Sequence, residues 1–180
     1  MTAPARPAPA APEIAPAEDA PSAGTCLGFD FGTRRIGVAV GDAALGTARP
    51  LAAVAVRGDG PDWAAIDALV AEWAPVALVV GLPLTADGEA QPITAHARGF
   101  LRRLARRTAL PAFPADERYS SIGAAEAIAS ARADGRRRRR AAKGDVDAAA
   151  AALILERWFA GERLDERLDG RAEERPGGRP

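Results

Sequence analysis

The sequence predicts an α/β fold: a mixed five-stranded sheet of three antiparallel strands followed by β-α units, with helices on both faces. Three short apolar segments, residues 25–30, 36–42 and 48–56, are linked by tight turns that contain glycine, which is typical of an antiparallel meander. After them, apolar runs alternate with segments of helical spacing, which is typical of β-α units. One layered domain around this sheet is therefore expected.

The remaining elements are predicted by the spacing of apolar residues. Helical spacing, with apolar residues three or four positions apart, covers residues 62–73, 93–107, 120–131 and 146–159. The continuous apolar run 76–80 predicts a central strand that is buried on both faces, and residues 110–114 predict a short fifth strand. This order allows the first and fifth strands to be neighbours.

The folded part is predicted to span residues 24–160, between two tails of different composition. The first 22 residues contain six prolines and eight alanines, and they hold no apolar run long enough for a signal peptide. Residues 1–23 are therefore expected to be a disordered tail. Residues 161–180 are charged and rich in glycine and proline, so they are expected to form a flexible tail.

A cytoplasmic protein without membrane contact is expected. The single cysteine, Cys26, excludes an intramolecular disulfide. No segment approaches the roughly eighteen consecutive apolar residues that indicate a membrane span, since even the run 148–159 is interrupted by Glu156 and Arg157.

Three acidic residues stand at the edges of apolar elements. Asp30 ends the first strand, Glu117 follows the fifth, and Asp147 opens the alanine-rich stretch 148–159. A carboxylate in such a setting must be paired or must hold a metal, and Mg²⁺ prefers oxygen ligands from a few carboxylates. The three acids therefore predict a divalent-metal site. The alternative for Asp30 is a residue that only starts the following turn.

Basic residues are concentrated between positions 98 and 143. This segment has thirteen lysines and arginines against four acidic residues, although the whole chain has a formal net charge of zero. Such an excess is expected of a protein that binds a phosphate backbone, and a run of five arginines favours a mobile interaction segment. An ordinary solvated helix face is the alternative for the arginines at 102–107. The expected nucleic-acid contacts are Arg34, Arg118, Arg136, Arg137, Arg138, Arg139, Arg140 and Lys143.

Four motifs occur in order across the predicted domain: Gly28-Phe-Asp30-Phe-Gly32-Thr-Arg34-Arg35-Ile36-Gly37, Val79-Val-Gly81-Leu-Pro83, Asp116-Glu117-Arg118 and Lys143-Gly-Asp-Val-Asp147. Together they resemble the YqgF/RuvX family of pre-16S rRNA nucleases. The resemblance implies a ribonuclease H-like fold, similar to that of the RuvC Holliday junction resolvases. It also implies Asp30, Glu117 and Asp147 as the acidic metal-binding set, and a cytoplasmic role in trimming the 5′ side of the 16S rRNA precursor.

One position departs from the family pattern. Asp145 stands where an apolar residue is expected, which leaves a choice between Asp145 and Asp147 for the third acid. Asp147 is preferred because it directly precedes the alanine-rich stretch.

The predicted function is that of a metal-dependent endonuclease, with Asp30, Glu117 and Asp147 as catalytic residues and Mg²⁺ or Mn²⁺ as the cofactor. A resolvase acting on branched DNA is an alternative, because phosphate contacts do not distinguish the two polymers. An actin-like or sugar-kinase-type ATPase would need two such domains, and there is room for one. A non-catalytic RNA-binding assembly factor is disfavoured, because clustered carboxylates repel one another without a metal. A monomer and a homodimer are both compatible with the sequence.

Overall fold

The computed structural model of the protein describes residues 14–117 and 143–164, and its centre is a six-stranded sheet. The strands are β1 (Thr25–Phe31), β2 (Arg35–Asp42), β3 (Thr47–Arg57), β4 (Gly60–Pro61), β5 (Ala77–Leu82) and β6 (Ala112–Asp116). The described helices are α1 (Trp63–Trp73), α2 (Pro92–Thr108) and α3 (Lys143–Phe159). The helix predicted over residues 120–131 lies outside the described residues.

The strand order is β4-β3-β2-β1-β5-β6. Strands β1, β2 and β3 form an antiparallel meander, whereas β5 pairs in parallel with both β1 and β6. This confirms the predicted ribonuclease H-like sheet of three antiparallel strands followed by β-α units. The predicted count of five strands is one too low, because the two-residue strand β4 pairs with the end of β3. A strand of two residues has no alternation that a sequence could reveal.

The predicted contact between the first and fifth strands is wrong. The fifth predicted strand is β6, and β5 lies between it and β1. Residues at the ends of β1 and β6 can therefore meet only by reaching across β5, which becomes important at the acidic site described below.

Helices cover both faces of the sheet, as predicted. Successive side chains of a strand point to opposite faces, so Leu27 and Phe29 pack with Phe100 and Leu104 on the face that carries α1 and α2. On the other face, Cys26, Val79 and Phe113 pack against Ile154, Leu155 and Trp158 of α3. The sheet is therefore the middle layer of three. No helix among the described residues is long and apolar enough to cross a membrane.

Two arginines of the predicted basic helix face are used inside the fold. The guanidinium of Arg107 donates two hydrogen bonds to Asp67, of 2.7 and 2.6 Å. Arg103 and Arg107 both lie over the ring of Trp63, with their Cζ atoms 5.2 and 5.4 Å from its centroid. These contacts fasten α2 to α1, so this part of the basic excess is structural.

Residues before and after 24–160 contact the outer side of β6. Ile14 forms an isolated bridge with Ala112, and Ala15 N–H donates to the Ala112 carbonyl at 3.0 Å. Arg163 forms a second bridge with Ala115 and donates to the carbonyl of Ala17 at 3.2 Å. Both ends of the described chain thus lie along the same strand.

Candidate active site

Asp30 lies in β1 between two glycines of the neighbouring strands. Its partner in β2 is Gly37, and its partner in β5 is Gly81. Residues paired directly across a sheet point to the same face, so ordinary side chains at these two positions would flank the Asp30 carboxylate. Because both partners are glycines, there is space on either side of Asp30 for groups from elsewhere in the chain.

Glu117 uses the space above Gly81. It follows β6 directly, and its N–H donates to the carbonyl of Leu82 at 3.3 Å. A Cβ atom placed on Gly81 would lie 3.2 Å from Oε2 of Glu117 and 2.7 Å from Cδ1 of Ile154. The side chain of Glu117 thereby reaches across β5 and is hydrogen-bonded to Asp30.

Burial raises the pKa of both carboxyl groups in this pair, and neighbouring negative charges raise both pKa values further. For Asp30 the largest cause is burial, which the hydrogen bond with Glu117 partly offsets, and the charge of Asp147 raises its pKa further. Burial also raises the pKa of Glu117, to which the neighbouring charge of Asp30 adds. Because both pKa values are raised, the pair tends to keep one proton between its two carboxyl groups. The Oε2 atom of Glu117 is buried and has no hydrogen-bond partner among the described residues.

Asp147 lies on the other side of Asp30, above Gly37. A Cβ atom on Gly37 would overlap the backbone carbonyl of Asp147, so α3 can approach the sheet this closely only because residue 37 is glycine. Oδ2 of Asp147 accepts a hydrogen bond from Nε of Arg35 at 2.8 Å. The third predicted acid is therefore near the pair but is already held by a cationic side chain.

The helix that carries Asp147 begins earlier than predicted. The sequence predicts a start at Val146, whereas α3 begins at Lys143, where the second described segment of the chain starts. Asp147 accordingly lies inside the helix and does not open it. Asp145 lies in the first turn and is partly buried.

The pair formed by Asp30 and Glu117 fits a divalent cation. Two half-buried carboxyl groups meet there, and one of their oxygen atoms, Oε2 of Glu117, is itself buried and has no partner among the described residues. A cation would satisfy that oxygen and offset the repulsion that raises both pKa values. Within residues 14–117 and 143–164, however, no three aspartate, glutamate, histidine or cysteine side chains already surround one point. Asp147 is held by Arg35 instead of completing such a group.

The predicted nucleic-acid contacts are only partly within the described residues. Arg34 is exposed in the turn between β1 and β2, and Lys143 is exposed at the start of α3. Gly144, next to Lys143, lies over Ala53, which pairs with Gly37. Both basic residues therefore lie at the end of the sheet where the acids meet. Arg118 and the five arginines Arg136, Arg137, Arg138, Arg139 and Arg140 lie outside the described residues.

Three residues that matter for this site are not predicted from the sequence: Arg35, Gly37 and Gly81. Glycine inside a strand often marks a close approach of another part of the chain, and this signal is present at both glycines. Which part approaches depends on strand pairing, which the sequence does not reveal. Arg35 resembles an ordinary turn residue, and only its partner Asp147 distinguishes it.

The matches to known proteins agree with this geometry. A family model described as "RuvX: Holliday junction resolvase" matches residues 24–161. A protein of Xanthomonas axonopodis pv. citri named "Putative pre-16S rRNA nuclease" is 53% identical over 137 residues, which cover 76% of this chain and 88% of that protein. A protein of the same name from Xanthomonas oryzae pv. oryzae is 54% identical over 137 residues, with the same coverage.

Among solved structures, Thermus thermophilus RuvC in complex with a Holliday junction substrate is similar, with a TM-score of 0.49 and 19% identity. The similarity covers 78% of this chain and 99% of that chain. The strand order and the half-buried carboxyl pair of this chain fit a nuclease, a hydrolase of phosphodiester bonds. On the family match and the identity to its relatives, the chain belongs to the RuvX family. The ATPase alternative is therefore wrong.

The raised pKa of Glu117 leads to a prediction on stability. Above pH 4.5, the ordinary pKa of a glutamate, the folded state binds more protons than the unfolded state, so the free energy of unfolding falls as pH rises. Glu117→Gln removes this effect and is expected to stabilise the metal-free protein at pH 8 by on the order of 1–3 kcal/mol. At pH 5 the difference should be small. Urea unfolding in EDTA at both pH values measures it.

Glu72→Gln is the matched control, because Glu72 is an exposed glutamate of α1. It is expected to keep the wild-type dependence of stability on pH. If Glu117→Gln also kept that dependence, the carboxyl pair would not share a proton in the folded state.

Proposed function

We propose that the protein is a metal-dependent endonuclease that hydrolyses phosphodiester bonds of RNA, in the processing of the 5′ end of pre-16S rRNA. The observation that carries this proposal is the half-buried pair of Asp30 and Glu117, in which the buried Oε2 atom of Glu117 lacks a partner among the described residues. Two carboxyl groups with raised pKa values destabilise the fold unless they are used. As ligands of a divalent cation, Mg²⁺ or Mn²⁺, the two carboxyl groups would have such a function.

The acidic residues of the site would bind the cation. Asp30 and Glu117 would ligate it from the sheet, and Asp147 would be the third acid, from α3. When bound, a divalent cation activates a water and stabilises the leaving oxygen of the phosphodiester. Before it can bind, the pair of Asp30 and Glu117 must release the proton that its raised pKa values favour, so binding is expected to tighten as pH rises.

The apolar side of α3 protects the pair from water. Ile154 is fully buried against Gly81, directly beneath the Glu117 carboxyl group. Arg34 and Lys143 are exposed at the end of the sheet where the two carboxyl groups meet. This orientation supports an approach of the phosphate backbone from the basic side.

RNA is proposed as the substrate because of the relatives. The two Xanthomonas proteins that share 53% and 54% identity with this chain are both named for pre-16S rRNA, whereas the description of the family model names a Holliday junction. A role in ribosome biogenesis would place the protein in the cytoplasm. Both a monomer and a homodimer are compatible with this proposal.

A cleavage assay with three substrates tests this proposal. Single-stranded RNA that contains the 16S precursor 5′ end, single-stranded DNA of the same sequence and a four-way DNA junction are incubated with Mg²⁺, Mn²⁺ or EDTA. Cleavage of the RNA with either cation and none in EDTA is expected. Cleavage of the junction alone would replace RNA by branched DNA as the substrate, and cleavage of none would contradict a nuclease function.

The five-arginine run leads to a separate prediction about binding. Replacing Arg136, Arg138 and Arg140 with Gln is expected to weaken RNA binding and to flatten its salt dependence. The decrease in slope should be about 0.7 log units per log of salt for each phosphate contact removed on a single strand, because fewer counterions are released. Fluorescence anisotropy titrations at several salt concentrations measure this slope.

Replacing Arg171, Arg175 and Arg179 with Gln removes the same number of charges outside the basic segment 98–143 and serves as the comparison. The arginine-run variant should also melt like the wild type. If its salt slope matched that of the comparison variant, the run would not contact the substrate.

A further inference from the structure

Arg35 contacts the third acid of the site through one nitrogen atom. It is the first residue of β2, and its Nε donates to Oδ2 of Asp147 at 2.8 Å. Its side chain is 37% exposed and that of Asp147 is 29% exposed. The ion pair is therefore partly open to solvent, at the end of the sheet where Asp30 and Glu117 meet.

A second arginine of the same protein shows what a purely structural ion pair looks like here. Arg107 uses both Nε and Nη2 on the two carboxylate oxygens of Asp67, and its guanidinium lies over the ring of Trp63. In contrast, only Nε of Arg35 has an acceptor among the described residues. Its two terminal nitrogens, Nη1 and Nη2, donate to no described group.

A guanidinium held by Nε presents its terminal nitrogens in a fixed direction. Arginine binds phosphate oxygens with two parallel N–H groups, and the geometry is more favourable when the side chain is already oriented. Asp147 orients Arg35 in this way, and the rigid strand β2 carries its backbone. The exposed side chains of Arg34 and Lys143 lie at the same end of the sheet, so an anion there would meet several positive charges.

The ion pair would otherwise work against the site. A positive charge beside Asp147 lowers the attraction of the acidic group for a cation, and it occupies one carboxylate oxygen. The ion pair is therefore explained if the guanidinium of Arg35 has a second function beside the acidic residues. Binding the phosphate that is to be cleaved is such a function, because the phosphate must lie next to the cation site.

We propose that Arg35 binds a backbone phosphate of the nucleic acid next to the carboxyl pair, with Asp147 holding its guanidinium in place. This inference rests on the proposed nuclease function and adds a substrate-binding residue to it. The competing explanation is that Arg35 serves only to neutralise and hold Asp147. The two explanations predict different effects for the two partners of the ion pair.

Nucleic-acid binding without divalent cations separates them. Labelled single-stranded RNA is titrated by fluorescence anisotropy in EDTA at several salt concentrations, so that neither cleavage nor metal binding contributes. Arg35→Gln is expected to weaken binding and to lower the salt slope by about 0.7, because one phosphate is no longer neutralised. Asp147→Asn breaks the same ion pair but keeps the arginine, so it is expected to keep the wild-type salt slope and to weaken binding less than Arg35→Gln does.

Arg107→Gln is the matched control, because it also removes the arginine of an ion pair with aspartate, on the opposite face of the sheet. Its salt slope is expected to equal that of the wild type. If Arg35→Gln does not fold, Arg35→Lys is used instead. Lysine keeps the positive charge but lacks the planar pair of N–H donors of the guanidinium. Binding of RNA should then weaken, while its salt slope stays the same.

Three outcomes would overturn the inference. The first is an unchanged salt slope in Arg35→Gln, and the second is an equal weakening of binding in Arg35→Gln and Asp147→Asn. The third, relevant if Arg35→Gln is unfolded, is wild-type affinity in Arg35→Lys. A wild-type protein that bound none of the nucleic acids would instead contradict the proposed function itself, so the two failures are distinguishable.

Discussion

Replacing Asp30 with Asn is expected to abolish cleavage and to leave the fold intact. Asn has nearly the same shape, and the position between Gly37 and Gly81 accepts it without a new contact. The substitution removes the negative charge at the centre of the site. Charge stabilisation by a bound cation is worth several kcal/mol, so the rate of cleavage should fall about a thousandfold or more. Thermal stability should stay the same or rise, since the repulsion with Glu117 is relieved.

Asp42→Asn is the control for this variant. Asp42 ends β2, and its Oδ1 accepts hydrogen bonds from the N–H groups of Ala44 and Leu45, at 2.9 and 3.0 Å, so it is a turn residue. Asn can make the same contacts, and cleavage should continue at the wild-type rate. Single-turnover cleavage assays and thermal melting of both variants measure the effect. Near wild-type cleavage by Asp30→Asn would remove Asp30 from the mechanism.

Gly37→Ala is expected to have the second largest effect, on both stability and cleavage. The added Cβ would overlap the backbone carbonyl of Asp147 and would lie 2.8 Å from the backbone N of Ala148. Backbone atoms of a packed helix cannot move aside as the end of a flexible side chain can, so α3 must shift as a unit. Overpacking of this kind costs about 1–3 kcal/mol. A displacement of Asp147 by about 1 Å can lower the rate about a hundredfold.

Gly99→Ala is the matched control, because a Cβ atom at this position in α2 would meet nothing within 4 Å. It is expected to stabilise the protein by about 0.5–1 kcal/mol, the usual gain for alanine over glycine inside a helix, and to leave cleavage unchanged. Urea unfolding and cleavage assays compare the two variants. Wild-type stability in Gly37→Ala would mean that α3 does not rest on this glycine.

The sequence predicts the secondary structure well where apolar residues recur with the regular spacing of a strand or a helix. Strands β1, β2 and β3 are predicted within one residue at each end, and α1 and α2 equally closely, because alternation and helical spacing are strong over these lengths. The two-residue strand β4 has no period and is missed. The start of α3 is placed three residues too late, because Lys143, Gly144 and Asp145 contribute no apolar residue to the helical pattern.

The sequence reveals which acidic residues belong to the site, but it does not reveal how they are arranged. Each acid stands at the edge of an apolar segment, and a charged residue next to apolar ones can be recognised from the sequence alone. The arrangement depends on which strands pair: β5 separates β1 from β6, and Gly81 lets Glu117 reach Asp30 across it. Neither the strand order nor the ion pair of Asp147 with Arg35 leaves a local pattern in the sequence.

The residues that cover β6 affect how this chain can be shortened. A truncated chain of residues 24–160 would keep the six described strands, the three described α-helices and all three acids, yet it would remove Ile14, Ala15 and Arg163 from the outer side of β6. An uncovered strand edge is a template for pairing with another molecule. Since Glu117 follows directly on β6, such self-association would occur beside the acidic pair. Ile14, Ala15 and Arg163, although none of them belongs to the proposed catalytic set, therefore shield the edge of the sheet next to the acidic pair.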